Sequence, residues 1–275
     1  MQVVETVAAF RALKLPRALG FVPTMGYLHR GHISLIEAAK KENKTIAASI
    51  FVNPTQFGPK EDLASYPRDL PRDLEMLEKA GTDVVFVPKD GEIYPPGYDT
   101  WVEVDKLTKK LEGTARPTHF RGVTTVVCKL FNITGADNAY FGQKDAQQCA
   151  VIQKMVKDLN MPVRVVICPT LREADGLAMS SRNTYLTPDQ RQAAPVLYLS
   201  LKLAEGLYAK GERNARAIRQ KMTDFIQNEP EAQIDYISIA DAETLEELDI
   251  IKGRALVSMA VKIGKPRLLD NCFLG

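Results

Sequence analysis

Two of the chain's three histidines, His29 and His32, stand in a His-x-Gly-His pattern. The surrounding stretch, residues 18–41, reads A-L-G-F-V-P-T-M-G-Y-L-H-R-G-H-I-S-L-I-E-A-A-K-K. An apolar run gives way to a turn on Pro23, Thr24 and Gly26, and then to helical spacing. A helix N-terminus leaves N–H groups unpaired and carries the positive end of a dipole, so imidazoles placed there suit phosphate chemistry. Two solvent-facing histidines in a loop would be the plainer account; the strand–turn–helix context favours a nucleotide site. Three more polar clusters follow apolar runs in the same way: Asn53 with Gln56, residues 142–145, and residues 172–183. In an open parallel sheet ligands bind beyond the carboxyl ends of the strands, so such loops converge on one site.

The elements that must carry these loops are legible as buried runs alternating with helices. Strands are expected at 18–22, 45–52, 83–87, 137–141 and 163–168, with a short one at 101–104. Helices are expected after His32, over 67–80 (stopping at Gly81), over 123–133 and over 146–159. This is the signature of βαβ units. The expected fold is α/β: a Rossmann-like, parallel-sheet nucleotide-binding domain over residues 1–174, followed by a smaller α+β domain over 175–275. The second domain carries helices at 189–210 (N-cap Thr187, then Pro188) and 214–228, and strands at 234–239, 256–261 and 268–273.

Bulk properties narrow the function classes. The 275 residues carry 36 basic and 34 acidic side chains, a net charge of +2, which calls for neither nucleic acid nor an anionic membrane as partner. No apolar run is long enough to span a bilayer. The first residues lack the pattern of a signal peptide and read as a short amphipathic helix. The four cysteines, Cys128, Cys149, Cys168 and Cys272, form no metal-binding spacing and read as buried thiols, so a cytoplasmic location is expected.

Five motifs in order, P-T-M-G-Y-L-H-R-G-H, F-V-N-P-T-Q-F, R-P-T-H-F-R-G-V, F-G-Q-K-D and R-E-A-D-G-L-A-M-S-S-R-N, together resemble the pantothenate synthetase (pantoate–β-alanine ligase) family. His-x-Gly-His alone marks a whole superfamily of nucleotidyltransferases and class I aminoacyl-tRNA synthetases; the combination is far more specific. One departure is Gln143, where many relatives carry glutamate.

The resemblance implies a two-step reaction. ATP and pantoate form an enzyme-bound pantoyl adenylate with release of pyrophosphate; β-alanine then attacks the acyl carbon, giving pantothenate and AMP. It implies a catalytic set of His32 (as proton donor), His29, Lys144 and Arg182, the last two as a cationic clamp on the triphosphate. ATP is expected along Met25, Gly26, Tyr27, Leu28, His29, Arg30, Gly31 and His32, along Gly142, Gln143, Lys144 and Asp145, at Leu171, and along Met179, Ser180, Ser181 and Arg182. Pantoate and β-alanine are expected at Gln56 and Gln148, with Asn53 and Arg116 nearby. Mg²⁺ is expected with ATP, and Asp73 is its candidate protein contact.

Plainer readings stand beside these. The Arg72–Asp73 pair otherwise reads as a solvated helix face, and His119 as a structural histidine supporting the Arg116 loop. The second domain is expected to act as a lid, and the resemblance implies a homodimer. The runner-up function is a nucleotidyltransferase of the same superfamily acting on another small substrate. An ATP-binding sensor without catalysis would not need His32, Lys144 and Arg182 together.

Overall fold

The structure, a computed structural model, describes residues 1–59, 61 and 63–275. The chain packs as two compact units, residues 1–143 with 147–169, and residues 144–146 with 170–275. Among the described residues, no helix is long and apolar enough to cross a membrane.

The first unit is built on β1 (Gln2–Val4), β2 (Leu19–Thr24), β3 (Thr45–Ile50), β4 (Val84–Phe86), β5 (Asn138–Gly142) and β6 (Arg164–Cys168). They form one parallel sheet in the order β1-β4-β3-β2-β5-β6. Its helices are α1 (Val7–Ala12), α2 (Arg30–Lys40), α3 (Leu70–Ala80), α4 (Asp90–Ile93), α5 (Glu112–Ala115), α6 (His119–Thr134) and α7 (Ala146–Asp158). Side chains alternate between the sheet's faces. Phe21, Ala47, Phe86 and Phe141 pack on one face with Val123, Val126 and Leu130 of α6. Val22, Ala48, Val85 and Tyr140 pack on the other with Ile36 of α2 and Leu77 of α3. A sheet covered on both faces requires continuous apolar strands, which is why these segments lack a polar stripe.

The strand order decides where a site can form. From β2 the chain builds outward through β3 and β4, then crosses back to place β5 and β6 on β2's other side. The carboxyl ends of β2 and β5 therefore adjoin at the switch point.

Four local expectations differ from what is observed. Residues 2–4 are not helical: the β-branched pair Val3–Val4 runs as an edge strand in register with Val84 to Phe86, and α1 starts only after the Thr6 cap. Residues 101–104 form no strand, because hydroxyls of α6 take the place of a ladder; the Thr125 hydroxyl accepts from the Val102 amide at 3.0 Å and Thr124 donates to the Val102 carbonyl. Helix α6 begins at His119, a turn earlier than its apolar run. The long helix expected at 189–210 is two, α8 (Pro188–Ala193) and α9 (Val196–Ala209), since Pro195 has no N–H to carry the helix through.

The second unit adds α10 (Ala215–Gln227) and the strands β7 (Ala232–Asp241), β8 (Ala255–Ile263) and β9 (Arg267–Leu274). These strands form an antiparallel sheet in the order β7-β8-β9. Leu197 and Leu201 of α9 and Ile218, Met222 and Ile226 of α10 pack against Val257, Met259 and Val261 of β8. The fold class is thus as expected: a Rossmann-like parallel sheet followed by a smaller α+β portion.

Candidate active site

The turn from β2 into α2 is held from below. Gly26 takes φ +83° and Tyr27 +49°, so successive backbone N–H groups point the same way. The Tyr27 and Leu28 amides donate to the two oxygens of Asp73 at 2.6 and 2.7 Å. Asp73 lies in the first turn of α3 and is 1% exposed, so it belongs neither to a solvated face nor to an open metal site. Burial pushes its carboxyl above the usual carboxylate value, opposed by the two amides and by Arg72. Arg72 donates to the Leu28 carbonyl at 2.9 Å and lies over the Tyr27 ring. A Cβ on Gly26 would come within 3.0 Å of Asp73 and of Ile50, which excludes larger residues there.

Above this turn the two histidines cap α2 reciprocally. His29 Nδ1 accepts from the Gly31 amide at 3.1 Å, and His32 Nδ1 accepts from the His29 amide at 3.2 Å. The rings lie 4.1 Å apart, tilted by 42°. A ring nitrogen that accepts carries no proton, so each imidazole bears its hydrogen on Nε2. The Gly26 amide donates to the Thr24 hydroxyl, and the His32 amide to the His29 carbonyl. The amides of Gly26, Tyr27, Leu28, His29, Gly31 and His32 are therefore all engaged internally. Most of the backbone donors expected at the helix start are thus taken within the turn, and each imidazole carries its N–H on Nε2. Leu28, with its side chain fully buried and both peptide groups taken, brings no polar atom to a ligand. Arg30 is exposed and ion-paired with Glu37 at 2.8 Å.

The loop after β3 presents amides on the same unit. Asn53 is 1% exposed; its Nδ2 donates to Gln56 Oε1 and to the Gly122 carbonyl, both at 3.1 Å. Asn53 Oδ1 accepts from the Thr55 and Tyr94 hydroxyls, each at 2.9 Å. With its oxygen held, Gln56 turns its Nε2 toward Met25 Sδ, 2.9 Å away. Thioether sulfur is a weak acceptor, so this N–H is available to a stronger one. Helix α6 comes so close that a Cβ on Gly122 would sit 2.5 Å from the Thr55 carbonyl oxygen.

Arg116 and His119 brace this loop. His119 Nδ1–H donates to the Gln56 carbonyl at 2.8 Å, and its Nε2 accepts from Arg116 at 3.2 Å. Arg116 also forks onto Glu61, with Nε at 2.8 Å from Oε1. The structure thus places Arg116 in an internal ion pair rather than open to substrate, while His119 supports the loop as expected. On α7, Gln147 is buried and bonded to the Glu112 amide and the Leu107 and Lys110 carbonyls. Its neighbour Gln148 is half-buried. At the end of β5, a Cβ on Gly142 would meet nothing within 4 Å, so space is open there.

The second unit holds the remaining cluster. Residues 171–179 form a small hairpin: the Met179 amide donates to the Leu171 carbonyl and Arg172 bridges to Ala178. Arg172 forks onto buried Asp270 at 2.6 and 2.9 Å and lies over the Tyr198 ring. The Ser180 hydroxyl accepts from the Arg182 amide at 3.2 Å, opening a short 3₁₀ turn, Ser181–Tyr185. Lys144 is held here by its carbonyl, which accepts from Asn271 Nδ2 at 2.7 Å, and its ammonium lies 3.5 Å from Asp145. Lys144, Ser180, Arg182 and Asn183 line one cleft, joined by Arg267 and Asp270. The structure therefore brings together the two cations that the sequence singled out and adds a third, Arg267.

A model of the pantoate-beta-alanine ligase family matches residues 2–273. A pantothenate synthetase from Herpetosiphon aurantiacus is 60% identical over 273 residues, covering 98% of this chain and 99% of that protein. One from Roseiflexus castenholzii is 56% identical over 276 residues, covering 100% and 99% respectively. The crystal structure of pantothenate synthetase from Thermus thermophilus matches with a TM-score of 0.95 at 47% identity, covering 99% of both chains. A pantoate-beta-alanine ligase from Francisella tularensis, complexed with beta-gamma ATP and beta-alanine, matches with a TM-score of 0.81 at 36% identity, covering 99% of this chain and 97% of that one. The chain belongs to the pantoate–β-alanine ligase family.

Among the described residues no three His, Cys, Asp or Glu side chains cluster to hold a metal. Asp73, the expected contact, has both oxygens on backbone amides. The residues of this ligase-family chain do not fit a protein-held metal at that position. Sequence reasoning missed the work of Asp73, Gln147, Arg267 and Asp270. Nothing local marks them, because each acts on residues distant in the chain.

One consequence is pH dependence of stability. Burial, and then the nearby Arg116 charge, push the His119 imidazole down from 6.5 to about 4. The unfolded chain therefore takes up a proton at a higher pH than the folded one. Stability from this group is complete above 6.5 and is lost as pH falls toward about 4, by at most ~3 kcal/mol at about 1.4 kcal/mol per pH unit. His119→Asn should keep the donor to Gln56 without titrating, and so flatten this decline in denaturant midpoints measured from pH 7 to pH 4. An unaltered decline would refute the assignment.

Proposed function

We propose that this chain condenses pantoate with β-alanine at the expense of ATP, forming pantothenate, AMP and pyrophosphate through an enzyme-bound pantoyl adenylate. The observation that carries the reading is the pair of Nε2–H donors fixed beyond β2, beside the Gln56 amide on Met25. A carboxylate is a poor acyl donor until its oxygen is converted to a leaving group. In the first step pantoate's carboxylate oxygen attacks the α-phosphorus of ATP, and the bond to the β-phosphate oxygen breaks. Charge grows on the non-bridging oxygens, where fixed donors act by positioning and electrostatic stabilisation. His29 and His32 take that role, with His32 as proton donor.

Lys144 and Arg182 hold the triphosphate and the departing pyrophosphate, the arginine by bidentate contact and the lysine as a point charge. Met25, Gly26, Tyr27, Gly31, Met179, Ser180 and Ser181 shape the nucleotide's path. Gly142, Gln143, Asp145 and Leu171 take the adenosine end, where Asp145 suits ribose hydroxyls. Gln56 and Gln148 bind pantoate, with Asn53 aiming Gln56. In the second step the amine of β-alanine attacks the acyl carbon and AMP leaves. ATP is a substrate here; Mg²⁺ enters with it, and no step is assigned to the metal.

Exchange of labelled pyrophosphate into ATP tests this. Exchange should depend on pantoate and need no β-alanine; exchange absent with pantoate, or equal with unrelated acids, would sink the reading. His32→Ala should lower that exchange by roughly 10²–10³-fold while the protein stays folded.

The same proposal makes residues 175–275 a lid that carries the Ser180 to Arg182 segment over the phosphates and excludes water from the adenylate. ATP should then protect bonds in residues 172–183 from protease, and unchanged cleavage would count against the lid. A cytoplasmic, homodimeric enzyme completes the proposal; four cysteines without disulfides fit a reducing compartment. Sedimentation should give one species at twice the chain mass of 30.5 kDa; a monomer would exclude the dimer.

A further inference from the structure

The least explained group near the candidate site is Asp73. A carboxylate 1% exposed, with an arginine beside it but 3.9 Å away, is not held by that ion pair. It is held by two consecutive amides of a turn more than forty residues earlier in the chain. Two consecutive N–H groups of this turn converge on one carboxylate, as in a backbone nest, a concavity in which N–H groups converge on an anion. Here the anion comes from the protein itself. Helix α3 leaves Asp73 at liberty to supply it, because Asp69 already caps that helix by accepting from the Arg72 amide.

We propose that Asp73 is a positioning residue for His29 and His32: it fills the nest that would otherwise receive the ligand's phosphate, and so hands anion recognition to the two imidazoles. The Leu28 peptide, one bond from His29, is gripped from both sides, its amide by Asp73 and its carbonyl by Arg72. That grip sets the extended backbone at His29, φ −136° and ψ 175°, which lets each histidine accept an amide through Nδ1. Nε2–H is the result on both rings. In this account Asp73 touches neither ATP nor a metal, although its sequence position invites that reading. The chemical role of the histidines rests on the ligase function proposed above; their hydrogen-bonded form does not.

The test uses Asp73→Asn, which keeps the side chain's size but has one acceptor oxygen, so that its NH₂ faces an amide N–H. With ¹⁵N-labelled histidine, the ring signals of His29 and His32 in the ligand-free protein should depart from the Nε2–H form. The kcat for pantoate-dependent pyrophosphate exchange should fall about 10- to 100-fold. The KM for pantoate and the Mg²⁺ concentration giving half the maximal rate should stay as in the wild type. Unaltered histidine signals would overturn the proposal whatever the kinetics, and with a shifted Mg²⁺ dependence they would make Asp73 a metal contact. If the wild type itself shows no exchange, the ligase reading falls, while the histidine spectra still decide the role of Asp73. Should the asparagine variant fail to fold, Arg72→Ala removes the half-exposed side of the same grip. It should shift the same ring signals and lower kcat by about three- to tenfold; unchanged signals would again overturn the proposal.

Discussion

The arrangement at the start of α2 rests on two reciprocal hydrogen bonds, each from a backbone amide to the Nδ1 of a histidine. A helix start normally leaves four amides to water, to a cap or to a ligand. Here those of His29, Gly31 and His32 are consumed by the protein, and the proton that could have been on either nitrogen of each ring is confined to Nε2. The helix's donor capacity is thereby moved outward by the length of an imidazole. Two N–H groups are thus fixed on side chains at the start of α2, a preorganised arrangement of donors.

This construction depends on elements far apart in sequence. The parallel sheet brings the carboxyl ends of β2 and β5 side by side at the switch point, and β3 beyond β2 delivers Asn53 and Gln56 to the same end. The turn is supported by α3 through Asp73 and Arg72. The Gln56 loop is supported by α6, through the close approach at Gly122 and the donor on His119. Burying Arg116, Glu61 and His119 together would be costly if any were unpaired. The neutral imidazole and the forked arginine leave each with a partner, so the loop's backbone is held by bonds that must break together.

The second unit uses a different device. The hairpin at 171–179 is fastened to β9 by the fork from Arg172 to Asp270, which lets the following 3₁₀ turn present Ser180 and Arg182 from an ordered base. Lys144, though it follows β5 in the chain, is held by Asn271 and lines the same cleft. Concentrating positive side chains there suits a polyanion, and the paired Asp270 restrains the count of uncompensated charge.

The sequence by itself determined the βαβ alternation, the buried strands and their approximate limits, the stop at Gly81, the N-cap at Thr187, and the polar loops after the strands. These depend on local period, on turn residues and on capping chemistry, all written in neighbouring positions. It also singled out His29, His32, Gln56, Lys144 and Arg182, whose types stand out where strands end. Tertiary structure alone decided which of their atoms face outward. Asp73 read as surface because an acidic residue beside an arginine in a first helical turn is ordinarily solvated; only the turn at Tyr27 and Leu28 makes it a buried acceptor. Arg116 read as a substrate contact because the chain does not announce that Glu61 and His119 will claim its guanidinium. Gln147 and Gln148 are the same residue type side by side, and only the packing of α7 separates a buried pin from a half-buried amide. Spacing along a chain specifies elements, whereas hydrogen-bond partners across forty residues or more are specified by the space those elements enclose.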